Sequence, residues 1–147
     1  MREIKFRAWD KNNKQMCEVT HLKFSKCQYL NVGYRRLLDR KMIDDNSLLD
    51  EKMNGTCALM QYTGLKDKND KEIYEGDVVR QYADCDEYGC DIYFRYLIEW
   101  DNEQLAYCGN EIQSKGLTND RYYGTDMADY EIIGNIYENP ELLESEV

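Results

Sequence analysis

The sequence predicts a mainly β chain. Short runs of β-branched and aromatic residues alternate with polar ones at a period of two, and turn-forming residues separate them at short intervals. Only one Pro and no low-complexity tract interrupt 147 residues, so the chain reads as folded throughout. A charged fraction of 33% alone would suggest disorder, but 42% apolar content and 13 Tyr supply enough apolar surface for a core.

The elements follow in order. Ile4, Phe6 and Ala8 alternate with Lys5, Arg7 and Trp9, which predicts a strand with one buried face. The polar run Asp10 to Lys14 is a turn, and Gln15 to Val19 returns as its hairpin partner, with Leu22 and Phe24 extending it. Tyr34, Leu37, Leu38 and Met42 then recur at helical spacing, as do Leu48, Leu49 and Met53 before Asn54-Gly55. This stretch is expected to be a short helical or mobile insert.

From Ala58 the pattern is β again. Leu59 to Thr63 is a strand, Asp67 to Lys71 a tight turn, and Gly76 a corner ahead of the strand Val78 to Tyr82. Asp91 to Trp100 is the longest predicted strand, with Ile92, Phe94, Tyr96, Ile98 and Trp100 on one face. Asp101 to Glu103 turns the chain into Gln104 to Tyr107. Gly109 to Thr125 reads as loops, and Tyr130 to Tyr137 as a last strand interrupted by Gly134. Short strands of this kind, with a glycine corner before Asp77-Val78-Val79, point to a small SH3-like barrel with flanking N-terminal strands. The expected division is 1–30 as N-terminal strands, 31–57 as the insert, 58–139 as the barrel and 140–147 as an acidic tail.

Three blocks carry a family resemblance. MREIKFRAWD (Met1–Asp10), LMQYTGLKDKNDKEIYEGDVVR (Leu59–Arg80) and YEIIGNIYENPELL (Tyr130–Leu143), in this order, resemble the YopX family of phage and prophage proteins. The central turn departs from the family's frequent Lys-Asn-Gly-Lys by reading Lys68-Asn69-Asp70-Lys71, and Asp tolerates the left-handed conformation at modest cost. The resemblance implies a small, mostly β phage protein with an SH3-like barrel and is compatible with an oligomer. It implies no catalytic residue set and no defined biochemical role.

The residues themselves give no catalytic motif. There is neither G-x-S-x-G nor a phosphate-binding Gly-rich loop, and the single His21 has no sequence partner that marks a nucleophile pair. Glu99, Asp101 and Glu103 flank a strand end, where a solvated turn is the ordinary reading. Six Cys at 17, 27, 57, 85, 90 and 108 lack the paired spacing of a zinc site, Cys85 and Cys90 forming the only close pair. The Asp84–Gly89 loop loosely resembles a calcium loop, but Arg95 stands where the twelfth-position Glu is required. No cofactor or metal is therefore expected.

Neither an apolar leader nor a stretch long enough for a membrane span is visible. The expected setting is the bacterial host cytoplasm, without a membrane partner. Net charge is −10 and unevenly spread: residues 1–41 carry 11 Lys/Arg against 4 Asp/Glu, and residues 42–147 carry 8 against 25. A basic arm of this kind meets either nucleic acid or the acidic body of a neighbouring subunit. The candidate interaction residues are Lys5, Arg7 and Trp9 on one strand face, the Arg35-Arg36 pair, and Tyr122-Tyr123 in a loop. The function expected is that of a non-enzymatic accessory protein acting through protein contacts, as a homo-oligomer or with a host or phage protein. The alternative is a nucleic-acid-binding barrel using the basic N-terminal region.

Overall fold

The structure, a computed structural model, describes residues 3–24, 30–36, 40–45, 57–85, 89, 91–113, 116–122 and 127–144. The side chains of 24, 30, 31, 36, 42–45, 84, 85, 91, 113 and 116–122 lie outside the described set. The fold is mainly β, and the described residues build antiparallel strands in two sheets and a 3-10 turn at Pro140–Leu143. The chain divides into two compact units, Ile4–Gln61 and Met1–Glu3 with Tyr62–Val147.

In the unit Ile4–Gln61 the strands β1 (Phe6–Asp10), β2 (Gln15–Phe24), β3 (Leu30–Arg36), β4 (Met42–Asp45) and the start of β5 (Cys57–Lys66) pair in the order β4-β3-β2-β1-β5. The β1–β2 hairpin turns where the sequence predicts it. Asp10, although buried, has its charge satisfied locally. Its Oδ1 accepts the backbone N–H groups of Asn12 and Asn13 at 3.0 Å, and its Oδ2 accepts Asn13 Nδ2 at 2.9 Å. Ala8, Cys17, Val32, Tyr34 and Cys57 form the core of this unit, with Val19, Leu22 and Leu59 packed against them.

The helical spacing expected from Tyr34 to Met42 gives way to strands. Tyr34 pairs with Val19 and with Ile43, and Val32 and Tyr34, two residues apart, are both buried. A period of two over Val32 and Tyr34 thus overrides the coincidental spacing of later apolar residues. Leu37, Leu38 and the second stripe, Leu48 to Met53, lie outside the described residues. Opposite His21 in the β2–β3 pair stands Gly33, where a Cβ would run into the His21 imidazole at Cε1. The imidazole occupies the space that any side chain at 33 would need.

Beyond Gln61, β5 continues and its second half pairs with β6 (Glu72–Tyr74) across an irregularity between Tyr62 and Lys66. Thr63 bridges that irregularity: its hydroxyl donates to the Ile73 carbonyl at 2.8 Å and accepts the Leu65 N–H at 3.2 Å. The remaining strands, β7 (Asp77–Cys85), β8 (Asp91–Asp101), β9 (Ala106–Gln113), β10 (Gly116–Tyr122) and β11 (Tyr130–Asn135), form a sheet ordered β10-β9-β8-β7-β11. The loops expected over Gly109–Thr125 are thereby replaced by the second half of β9 and by β10. Gly109 lies opposite Ile98 and Asn110 opposite Leu97, and Asn110 Nδ2 donates to the Glu99 carboxylate, so these polar and glycine positions belong to the ladder. Gly109 also admits the Tyr96 side chain, whose Cβ lies 3.0 Å from where its own would stand.

The middle of this sheet is buried on both faces. One face packs Ile73, Val79, Tyr96, Ile98, Met127 and Tyr130, with Leu65, Tyr107 and Ile132. The other packs Val78, Leu97 and Ile112, with Ile133, Ile136, Leu142 and Leu143. Leu142 and Leu143 come from the 3-10 turn Pro140–Leu143, so the segment expected to be an acidic tail begins with two half-buried leucines packed against this cluster. Gly76 makes the predicted corner at φ +81°, its N–H donating to the Ile98 carbonyl at 2.8 Å. Asp70 takes φ +65°, the left-handed position that its place in the turn requires.

Candidate interaction surface

Strands β7 and β8 run further than the strands that flank them. Described pairing of β11 with β7 stops at Gln81, opposite Tyr130, and that of β9 with β8 begins at Tyr96, opposite Glu111. From Tyr82 to Cys85 and from Asp91 to Arg95 the described pairing is therefore β7 with β8 alone, a two-stranded ribbon. Among the described residues no further strand pairs with either edge of this ribbon, and a two-stranded ribbon is weak by itself in water.

Its side chains are nevertheless large and apolar. Tyr82 is 50% exposed, Ile92 42%, Tyr93 38% and Phe94 46%. Alternation distributes them over both faces: Tyr82 lies opposite Tyr93, while Phe94 lies opposite Gln81 on the other side. Tyr82 and Tyr93 meet edge to face at 5.8 Å between ring centres, and the Arg80 guanidinium stacks on the Tyr93 ring at 4.5 Å. Arg80 is itself fixed. Its Nε and Nη2 both donate to Glu131 Oε2, at 3.0 and 2.8 Å, and Lys68 Nζ reaches the same oxygen at 3.0 Å. The Lys68 ammonium and then the Arg80 guanidinium hold the Glu131 carboxyl below the usual carboxylate range. A rigid aromatic pair at the root of the ribbon presents apolar area at low entropic cost, the property that suits a contact surface.

The basic candidates are arranged differently. Arg7 on β1 lies opposite Glu18 on β2, which in turn lies opposite Arg35 on β3. A carboxylate thus stands between the two guanidinium groups, with Glu18 Oε2 3.8 Å from Arg35 Nη2. Trp9 shares the parity of Arg7 but is buried, with 8% of its surface exposed. Lys5 precedes β1 and is half-buried. Arg36 pairs with Cys17, and Tyr122 with Gly109, through their backbones. The side chains of Arg36 and Tyr122, and Tyr123 altogether, lie outside the described residues, as do Cys90 and the Cys85 side chain.

Of the three carboxylates at the end of β8, Asp101 is buried and accepts the N–H groups of Glu103 at 2.7 Å and Gln104 at 3.3 Å, Glu99 accepts from Asn110, and Glu103 is exposed. They build a turn rather than a site. Among the described residues no three His, Cys, Asp or Glu side chains are grouped to hold a metal ion, and no helix is long and apolar enough to cross a membrane. Cys17, Cys57 and Cys108 are buried.

Sequence reasoning singled out the alternating face of β8 but not its exposed end. The signal was present in the aromatic density of Tyr82, Tyr93 and Phe94. What the sequence does not carry is the point at which β9 and β11 stop.

No curated protein matches the chain. Among solved structures it is similar to protein EF1440 from Enterococcus faecalis, with 25% sequence identity and a TM-score of 0.61 over 98% of this chain and 100% of that one. Residues 5–144 match the family described as YopX protein, in agreement with the three blocks at the start, centre and end of the sequence, and the chain belongs to the YopX family.

Proposed function

We propose that this is a non-enzymatic phage or prophage accessory protein of the bacterial host cytoplasm that acts through protein contacts and self-associates. The observation that carries the reading is the aromatic ribbon at the end of β7 and β8, where four large apolar side chains are between 38% and 50% exposed. Apolar groups clustered in this way on an otherwise charged surface mark interaction sites more often than isolated exposed residues do. The same reading takes 58–139 as an SH3-like barrel, supported by its short antiparallel strands and the Gly76 corner.

Nucleic-acid binding through Lys5, Arg7, Trp9, Arg35 and Arg36 is the second reading. The burial of Trp9 and the position of Glu18 between Arg7 and Arg35 favour protein contacts over it. Sedimentation velocity of the wild type beside Tyr82→Ser/Phe94→Ser tests the first reading. The wild type is expected at a multiple of one chain and the variant at one chain, with matching circular dichroism. A wild type that stays at the mass of one chain at the highest soluble concentration overturns it.

A further inference from the structure

We infer that self-association is two-fold and runs through the outer edge of β8: the segment Asp91–Arg95 of one copy pairs antiparallel with the same segment of a second copy, Tyr93 opposite Tyr93. This rests on the self-association reading above and names its contact.

The backbone sets the register. The Ile98 carbonyl accepts the N–H of Gly76, the residue before β7, so it points to the β7 side of β8. Backbone groups alternate in direction along a strand, so those of Ile92 and Phe94 also point to β7. Those of Asp91, Tyr93 and Arg95 point to the outer edge. The irregularity in the ribbon lies in β7, which skips Ala83 between Tyr82 and Asp84, so the alternation along β8 is unbroken. β9 pairs with the outer edge from Tyr96 onward, and among the described residues no strand continues along it. A second β8 placed there with Tyr93 against Tyr93 brings all three outward residues of both copies into one ladder, Asp91 opposite Arg95 at each end. A shift by two residues in one direction would set Leu97, which already pairs with Asn110, opposite Asp91. The opposite shift would ask Gly89, at φ +80°, to extend the strand.

The residue types agree with this register. Arg95 is half-buried and lies opposite Arg80, whose guanidinium engages Glu131. Among the described residues the Arg95 guanidinium donates to the Leu142 carbonyl at 3.4 Å and meets no carboxylate. The two-fold register sets an acid, residue 91 of the second copy, at the position opposite it, and does so twice. A parallel, in-register pair would instead set Arg95 beside Arg95. On one face Ile92 and Phe94, 42% and 46% exposed, fall opposite each other across the new pair. On the other face the edge-to-face pair of Tyr82 and Tyr93 continues into Tyr93 and Tyr82 of the second copy. Both copies use the same edge, so the contact closes on itself and covers the strand edge that it joins.

Amide exchange resolved by residue, read by nuclear magnetic resonance on the unmodified chain, tests the inference. Concentrating the protein through its association is expected to slow exchange at Tyr93 and Arg95 roughly tenfold or more, and at Ile92 and Phe94, whose N–H groups face β7, far less. Charge exchange tests the register. Asp91→Arg and Arg95→Asp each set like charges opposite one another at both ends, and each is expected to weaken association roughly tenfold or more. The double variant Asp91→Arg/Arg95→Asp restores opposite charges and is expected to recover it. If the wild type associates but Tyr93 and Arg95 gain no more protection than Ile92 and Phe94, the two-fold edge contact fails and self-association stands. A double variant with wild-type circular dichroism that associates no better than the single variants has the same consequence. If the wild type never exceeds one chain in sedimentation, the underlying reading fails with it. The exchange experiment needs no substitution, so misfolding of a variant cannot mask the result.

Discussion

Asp67 and Ile132 are joined across 65 residues of sequence: Asp67 Oδ2 accepts the Ile132 N–H at 3.1 Å. The other oxygen, Oδ1, accepts the N–H groups of Asn69 at 2.8 Å and Lys71 at 2.9 Å, and the Lys68 N–H donates to the Tyr130 carbonyl at 2.8 Å. One buried carboxylate therefore shapes the turn after β5 and fastens it to β11. It also supplies an acceptor to β11 on the side away from β7, where an exposed strand edge would otherwise invite pairing.

Burial of Asp67 raises its pKa, but the N–H donors of Lys71, Ile132 and Asn69 outweigh that effect, and the net position is below the usual carboxylate value. A group lowered in the folded state contributes stability fully above its unfolded value, about 3.9, and loses that contribution as pH falls through the folded value. Asp67→Asn is expected to cost roughly 1–3 kcal/mol at neutral pH, since one amide oxygen replaces two charged acceptors. Urea unfolding of both proteins from about pH 7 to pH 3 should show the gap narrowing as acid is added. A gap that does not change with pH contradicts this role.

The residues that were legible in sequence are mostly those whose structure is set by near neighbours. Asp10 and Asp101 each follow a Trp, each bind the N–H groups two and three residues on, and each open a four-residue turn ending in a residue of positive φ, Lys14 and Leu105. The corner at Gly76 and the left-handed Asp70 are local in the same way. The strand at Tyr34 was not legible, because its identity comes from pairing with Val19 on one side and Ile43 on the other. Nor was the ribbon: its strands look like any half-buried pair, and their exposure depends on where β9 and β11 end. Lys5, Arg7 and Trp9 were correctly grouped by parity, yet the carboxylate that stands beside Arg7 comes from β2, through a register that Arg7 does not itself specify.

The approach of His21 to Gly33 predicts a strongly coupled pair. Gly33→Ala must displace the imidazole and is expected to cost about 1–3 kcal/mol, the usual range for overpacking. In a His21→Ala background the same substitution should cost much less, leaving a coupling energy of roughly 1 kcal/mol or more in a double-mutant cycle. Additive effects would show that the ring is not the obstacle.

Leu142 and Leu143 predict that the chain end supports the core. Removing residues 140–147 is expected to destabilise the protein by about 2 kcal/mol, from two half-buried leucines, and to lower Tm by about 4–8 °C. Gly134→Ala should act on the same contact, because its Cβ would lie 2.6 Å from Leu142 Cδ1 and 2.5 Å from Asn139 Oδ1. Thermal unfolding followed by circular dichroism reads both. An unchanged Tm after truncation would separate the turn Pro140–Leu143 from the core.

The most direct test of the ribbon as the contact surface is hydrogen exchange of the unmodified chain at two concentrations. Peptides spanning Tyr82 to Arg95 are expected to be protected when the protein is concentrated and to lose that protection on dilution, while the strand Cys57–Lys66 is unaffected. Exchange over Tyr82–Arg95 that is identical at both concentrations, in a sample shown by sedimentation to change its association state, would contradict the account by placing the contact elsewhere.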